Sequence, residues 1–180
     1  MNSIAVLGST SSIGKEVIKY PNTFHCPLRF EDSQEQYDKW FSANPQIDTL
    51  VHLARACKKD KIRDEQRDLS TFLLEISAIQ KLLNSVPKSV KIVFASTCVI
   101  YGPSGTNLIR YTTAQAAKEI MDNNMGVVNC PFDETADTIV DLRSLADHHK
   151  VYVMTKLAIE QMIQNHTDNH KIVRIWTTQK

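Results

Sequence analysis

Short apolar runs and longer helical patterns alternate along this chain. The first apolar run, Ser3 to Leu7, ends at Gly8, as a buried parallel strand commonly does. Further strand patterns occupy residues 24–30 (interrupted by Pro27), 47–53, 90–95 and 171–176. Helical patterns occupy residues 13–20, 33–43, 69–83 and 151–165, and Ser33 is a plausible N-cap. This alternation predicts an α/β fold, a Rossmann-like doubly wound parallel sheet.

The length of 180 residues predicts a single domain over residues 1–180. One region breaks the alternation, because the pattern between residues 103 and 150 is long and mixed. Thr112 to Asn123 could form a helix within it. Loops of this length in a compact domain are usually functional or mobile, so we interpret 103–150 as an insertion or loop region.

Composition narrows the class of protein. A net charge of +1, from 21 basic and 20 acidic residues, gives no strong field for nucleic acid. The apolar stretches are shorter than the ~20 residues of a membrane span, and no signal peptide is visible, which indicates a cytoplasmic protein. The four cysteines are scattered without a C-x-x-C pair, which favours free thiols over disulfides or a metal site.

A run of small residues, Gly8 to Gly14, follows the first strand and opens the first helix. Small residues there allow a tight turn and the close approach of a pyrophosphate, and the helix start offers unpaired N–H donors. The spacing differs from that of a P-loop. A strand-to-helix turn without a ligand is the alternative interpretation.

Two further segments carry candidate chemistry. Tyr152 and Lys156 lie four residues apart, so they share one face of a helix. A phenol has a pKa of about 10, and a neighbouring ammonium favours its phenolate. Thr97 follows a strand at the edge where open α/β sheets bind ligands. The alternatives are a chance pair on a surface helix and a Ser/Thr turn at a strand end.

Together these segments resemble the extended short-chain dehydrogenase/reductases, the NAD(P)-dependent epimerase/dehydratase family that acts mostly on nucleotide sugars. The similarity covers nearly the whole chain. The segments that carry it are the 8–14 loop, Asp48 to Ala54, Lys91 to Gly102, Tyr152 to Gln161 (YVMTKLAIEQ) and Lys171 to Arg174.

The resemblance implies a role for each matching residue. Thr97 and Tyr152 would bind the substrate oxygen, and Tyr152 would exchange its proton while nicotinamide exchanges hydride. Lys156 would bind the nicotinamide ribose and favour the phenolate. The residues implied in binding NAD or NADP are Gly8, Ser11, Ser12, Ile13, Gly14, Asp32, Leu53, Ala54 and Lys156.

The sequence also departs from the family pattern. Ser11 replaces the middle glycine of the loop, and the region between Gly14 and Ala54 is shortened, with its second and third strands compressed into residues 23–32. Glu75 replaces an internal asparagine and is expected to be buried or half-buried. The chain ends at Lys180, before most of the substrate-binding portion of full-length relatives.

Two functions remain open at this point. The first is an NAD(P)-dependent oxidoreductase or epimerase acting on a nucleotide sugar or a related hydroxyl or ketone substrate. The second is a non-catalytic or incomplete Rossmann module that binds nucleotide weakly or works with a partner chain. The resemblance also implies a homodimer formed through the helices at 66–84 and 151–165.

Overall fold

The computed structural model describes residues 3–55, 65–97 and 147–175. Five strands and four helices alternate along these residues. The strands are β1 (Ile4–Leu7), β2 (Thr23–Cys26), β3 (Thr49–His52), β4 (Lys91–Thr97) and β5 (His170–Ile175). The helices are α1 (Ser12–Val17), α2 (Gln34–Ala43), α3 (Glu65–Ser85) and α4 (Asp147–His166).

All five strands belong to one parallel sheet in the order β2-β1-β3-β4-β5. The chain moves outward from β1 to β2 and then crosses back to β3 on the other side of β1. The strand order therefore reverses between β1 and β3, and ligands of open α/β sheets bind outside the carboxyl ends of the strands at such a point. This architecture confirms the predicted fold class.

The core lies between the sheet and a layer of helices in which α3 packs against both α2 and α4. Its fully buried strand residues include Ala5, Leu50 and Ile92, which lie side by side on three neighbouring strands. Leu82 of α3 and Ile159 of α4 cover them. None of the helices in the described part of the chain is both long and apolar enough to cross a membrane.

Local sequence signals explain most element boundaries. Ser33 caps α2 in a capping box, since its hydroxyl accepts from the amide of Gln36 while the Gln36 side chain accepts from the amide of Ser33. The predicted strand over 24–30 is shorter than expected, because β2 ends at Cys26. Pro27 has no N–H to continue the ladder. The described residues between α1 and α2 therefore contain a single strand.

Candidate functional site

The candidate site lies along the carboxyl ends of β1, β3 and β4, and the first turn after β1 shapes one part of it. Gly8 has a φ of 88°, a conformation that side chains rarely allow. A Cβ at Gly8 would lie 2.5 Å from the backbone nitrogen of Ala54, at the end of β3. Glycine is therefore required here by both the dihedral angle and the close approach of two backbones.

The loop from Gly8 to Gly14 forms a compact turn into α1. The amide of Ser11 donates to the carbonyl of Gly8 at 3.0 Å, and the Ser11 hydroxyl accepts from the amide of Gly14 at 3.0 Å. Ser11 is thus the N-cap of α1, and its side chain occupies one helix donor. Ser12 and Ile13 follow in the first turn, where backbone N–H groups have no intrahelical partner.

A cleft of about 370 Å³ opens beside this loop, between the ends of β1 and β2. Gly8, Thr10 and Ala54 line one side of it. The segment that follows β2, including Arg29 and Glu31, lines the other. Thr97, Tyr152 and Lys156 are not among its lining residues, so the cleft covers the side of the edge where the resemblance expects adenosine.

The segment after β2 is held in shape mainly through its backbone. The Asp32 carboxylate accepts from the amide of Arg29 at 2.8 Å, and the Tyr37 hydroxyl donates to the Arg29 carbonyl at 2.9 Å. The Lys81 ammonium of α3 donates to the carbonyls of Phe30 at 2.8 Å and Asp32 at 2.5 Å. One carboxylate oxygen of Asp32, the predicted adenine contact, is therefore engaged in its own turn.

At the other side of the edge, Tyr152 and Lys156 lie one turn apart on α4. Lys156 is buried, with 5% of its surface exposed, and its ammonium donates to the carbonyl of Ala95 at 3.1 Å. The ammonium also lies 4.6 Å from the centre of the Phe94 ring. Tyr152 is half-buried, and the Arg55 guanidinium lies 4.1 Å from the centre of its ring.

Burial lowers the pKa of Lys156 from 10.5 to about 8. Desolvation of the ammonium is the largest cause, and repulsion from Arg55 acts in the same direction. Attraction to Glu75 and Glu160 raises the pKa and offsets part of this effect. Lys156 is thus charged at neutral pH but close to titration. Glu75 is buried at 4% exposure, as the sequence predicts.

A buried polar cluster joins α4 to the ends of β4 and β5. One Glu160 oxygen accepts from the Ser96 hydroxyl, and the other accepts from Arg174 at 3.0 Å. Thr97 is the last residue of β4 and is buried at 3% exposure. The predicted catalytic segment thus forms the end of a central strand, packed against the helix that carries Tyr152 and Lys156.

His52, at the end of β3, is a second buried titratable group near Lys156. Burial and the positive charge of Lys156 lower the pKa of His52 to about 3, so its ring is neutral at neutral pH. The ring contacts Phe94 edge-on, with 5.4 Å between centroids. His52 therefore packs as an uncharged aromatic side chain behind the site.

Sequence reasoning missed three contributors to this edge: Arg55, Tyr37 and Lys81. The closeness of Arg55 to the site could have been predicted from the sequence, since it directly follows the segment that ends at Ala54. Lys81 had none, because its partner Asp32 is 49 residues away. The 103–150 interpretation falls outside the described residues as far as position 146, and so does the last residue of the strand predicted over 171–176. No three His, Cys, Asp or Glu side chains converge as metal ligands in residues 3–55, 65–97 and 147–175.

No protein-family model matches this sequence, and neither does any curated protein. Solved structures do match. UDP-glucose 4-epimerase from Stenotrophomonas maltophila, with bound NAD and formylated UDP-arabinopyranose, has a TM-score of 0.58 at 17% identity over 92% of this chain. L-threonine dehydrogenase from Phytophthora infestans has a TM-score of 0.58 at 19% identity over 96%. GDP-mannoheptose C4 reductase from Campylobacter jejuni, with NADP bound, has a TM-score of 0.53 at 12% identity over 91%.

These similarities establish the fold. The chain has the Rossmann-like α/β fold of nucleotide-sugar epimerases and short-chain dehydrogenase/reductases, as the sequence resemblance predicts. The matched structures include proteins with bound NAD and with bound NADP. This chain spans about half the length of the structures it matches, 48%, 53% and 43% of the three named above.

Proposed function

We propose that this chain binds NAD or NADP along the carboxyl edge of its sheet and acts as an oxidoreductase or epimerase. The observation that carries the proposal is the pairing of Tyr152 with a buried lysine, Lys156, whose ammonium contacts the end of β4. This pair lies on the same sheet edge as the Gly8 turn. The fold shared with enzymes that bind these cofactors supports the same function.

The first loop fits a dinucleotide by its geometry. A Cβ at Gly14 would overlap the carbonyl of Gly8 and lie 2.6 Å from the Cα of Ser9. This close packing holds the start of α1 against the turn that follows β1. In this proposal, the amides of Ser12 and Ile13 face the pyrophosphate, because the Ser11 amide already donates to the Gly8 carbonyl. Leu53 and Ala54 line the cofactor site, where Ala54 borders the cleft, and Asp32 lies on the adenosine side.

The proposed reaction uses side chains of this chain to move a proton. The nicotinamide, when bound, supplies or accepts the hydride. Thr97 and Tyr152 hydrogen-bond the substrate oxygen, and the Tyr152 phenol gives or takes the hydroxyl proton. Lys156 holds the nicotinamide ribose.

The proposed substrate is a nucleotide sugar or a related compound with a hydroxyl or ketone group. Two of the matched structures bear on this choice, because one is a UDP-glucose 4-epimerase and another acts on a GDP-linked heptose. A third is an L-threonine dehydrogenase, which broadens the class to hydroxyl substrates of other kinds.

A non-catalytic module that binds nucleotide weakly, or works with a partner chain, is the second candidate. The observation that favours it is the short adenosine side, where Pro27 directly follows β2 and Asp32 is engaged with the Arg29 amide. Under this hypothesis Tyr152 and Lys156 keep their positions but lack a tightly bound cofactor.

The deciding experiment is titration of the protein with NADH and NADPH, followed by energy transfer from tryptophan to nicotinamide and by calorimetry. Micromolar binding of either cofactor supports the enzyme. Turnover of a hydroxyl substrate should then fall by roughly 10²–10⁴-fold in Tyr152→Phe, with cofactor affinity unchanged. Absence of binding at millimolar concentration of both cofactors would favour the second candidate.

The same proposal includes a homodimer formed through the helices at 66–84 and 151–165. Three large apolar side chains on α3 and α4 are about half exposed: Leu69 at 56%, Leu73 at 57% and Met154 at 47%. Pairing two copies would bury them. Light scattering should give twice the chain mass for wild type and a smaller mass for Leu73→Glu. A monomer at high concentration in wild type would contradict the dimer.

A further inference from the structure

Arg55 occupies an unusual position on the proposed catalytic edge. It directly follows Ala54, whose backbone packs against the Gly8 turn, and its guanidinium lies 4.1 Å from the centre of the Tyr152 ring. The side chain is exposed. Within the described residues, no carboxylate forms an ion pair with it. Among the described residues, the contact with the Tyr152 ring is what holds this long cationic side chain against the proposed acid/base.

This contact leaves the hydrogen-bonding capacity of the guanidinium intact. The group is planar, so stacking on the ring uses its face, while its five N–H donors point outward in the plane. A planar fork of donors matches a carboxylate or a phosphate with two parallel hydrogen bonds. The ring contact also restricts the orientation of the side chain, so Arg55 is pre-organised for such a ligand.

The charges around Arg55 favour an anion in the same place. The Lys156 ammonium is a second cation on this edge. Desolvation is the main cause of its lowered pKa, and repulsion from Arg55 adds to it, while attraction to Glu75 and Glu160 acts in the opposite direction. Glu160 cannot neutralise Arg55, because its two oxygens are engaged with Ser96 and Arg174. An incoming anion would relieve the repulsion and would find its counter-ion already in position.

We propose that Arg55 binds an anionic group of the substrate, a carboxylate or a phosphate, close to the carbon that bears the reacting oxygen. The proposal rests on the proposed function, because it takes the Tyr152 phenol as the group that faces that oxygen. It narrows the substrate to hydroxyl or ketone compounds that carry a negative charge near the reacting carbon. A neutral substrate would leave the Arg55 donors to water.

The competing source of the same chemistry is the pyrophosphate of the dinucleotide. Ala54 packs against the Gly8 turn, so Arg55, the next residue, follows directly after the cofactor loop contact. Binding of Arg55 to the pyrophosphate therefore needs a separate test. The two sources make opposite predictions for cofactor affinity. Arg55 as a substrate residue leaves the Kd of NADH or NADPH unchanged on substitution, whereas Arg55 as a pyrophosphate contact raises it.

The test compares wild type with Arg55→Gln, which removes the charge, and Arg55→Lys, which keeps the charge but loses the planar fork. Lys91→Gln is the matched control, because Lys91 is an exposed cation at the opposite end of β4. Each protein is first titrated with NADH and NADPH. It is then titrated by calorimetry with 3-hydroxybutyrate against its methyl ester, and with UDP-glucose against glucose, with and without saturating cofactor.

The expected result is that at least one anionic probe binds wild type ten-fold or more tightly than its neutral partner. Arg55→Gln should abolish that preference, Arg55→Lys should keep part of it, and Lys91→Gln should keep all of it. Cofactor Kd should change less than two-fold in every variant. Tyr152→Phe keeps the ring and should retain the anion preference while losing turnover.

Three results would overturn the proposal. The first is that wild type binds both members of each probe pair equally, or binds none of them. The second is a preference for the anionic probe that survives Arg55→Gln. The third is a ten-fold loss of cofactor affinity in Arg55→Gln. Failure of the proposed function has a different signature, since neither NADH nor NADPH then binds wild type. In that case the titrations without cofactor still measure the anion preference of Arg55.

Discussion

The two sides of the candidate site hold their polar groups in different ways. On the proposed adenosine side, which we call the adenosine side and which comprises residues 25–32, most of the contacts run to the backbone, as when Lys81 donates to the carbonyls of Phe30 and Asp32. On the proposed catalytic side, which we call the catalytic side and which comprises the end of β4 and the facing part of α4, charged side chains are buried. Lys156 and Glu160 are there at 5% and 4% exposure.

The two sides therefore depend on different interactions: backbone contacts maintain the shape of one, and pairing of buried charges stabilises the other. The adenosine side keeps its shape through carbonyl and amide contacts, so its exposed side chains can change without loss of the turn. The catalytic side depends on a polar cluster of paired charges, and removal of one member takes a partner away from each of the others. The catalytic side should therefore be the less tolerant of substitution.

The largest expected effect is at Glu160. Glu160→Leu removes the acceptor of the buried Ser96 hydroxyl and one ion-pair partner of Arg174, and should lower the free energy of unfolding by about 3–5 kcal/mol. Urea unfolding followed by circular dichroism measures this. Glu160→Gln keeps one carbonyl acceptor and is the milder control. A loss below ~1 kcal/mol in the leucine variant would contradict the proposed dependence on charge pairing.

The next effect tests the adenosine side at Lys81. Lys81→Met keeps the apolar stem but removes two donors from the 30–32 turn, and should cost about 1.5–3 kcal/mol of unfolding free energy. Weaker binding of NADH and NADPH should accompany it. Lys39→Met, at an exposed position of α2, is the matched control. Unchanged cofactor affinity and stability would show that this turn does not need α3.

A smaller, pH-dependent effect is expected from Lys156. Its pKa is about 8 in the folded state against 10.5 as the ordinary value, so between these pH values the unfolded chain holds a proton that the native chain has released. Unfolding free energy should then rise with pH, by at most about 1.4 kcal/mol per pH unit. Below pH 8 both states hold the proton and this contribution is flat.

The comparison that isolates this titration is wild type against Lys156→Met, by urea unfolding from pH 7 to 10. Other titrating groups cancel in the difference between the two proteins. The stability of wild type relative to Lys156→Met should increase above pH 8. A difference that stays constant across this range would mean that burial does not perturb the lysine.

The smallest expected effect is at an exposed ion pair that serves as a reference for the buried one. Lys19 and Glu16 lie 2.7 Å apart with side chains 66% and 69% exposed. Such pairs contribute roughly 0–1 kcal/mol because water and salt screen them. Glu16→Gln should therefore change unfolding free energy by less than about 0.5 kcal/mol. A larger loss would weaken the distinction between buried and exposed charges.

Periodic and capping signals in the sequence accounted for most of the fold. The alternation of strand and helix predicted a parallel sheet, and Ser33 caps α2 as predicted. An observed strand end differs from the predicted one where a single residue interrupts the hydrogen-bond ladder, since β2 ends before Pro27. The order of the strands follows from packing between distant segments, and no local pattern encodes it.

The candidate site was predictable to the extent that its residues have a recognisable spacing. Tyr152 and Lys156 are four apart, and the Gly8 loop follows a strand, so both could be identified from sequence. The direction of a long side chain depends on tertiary neighbours instead. Arg55 could not be placed over the Tyr152 ring from its position alone, because β3 and α4 are separated by most of the chain.

The contact between Gly8 and Ala54 has a consequence for mutational tolerance. A Cβ at Gly8 would clash with backbone atoms, at 2.5 Å from the nitrogen of Ala54. Every residue has these backbone atoms, so no second substitution can relieve the clash. Gly8 should therefore be intolerant in every genetic background. Ser11 is different, since Asp, Asn or Thr can also cap a helix. A saturation library should recover several residues at position 11 and only glycine at position 8.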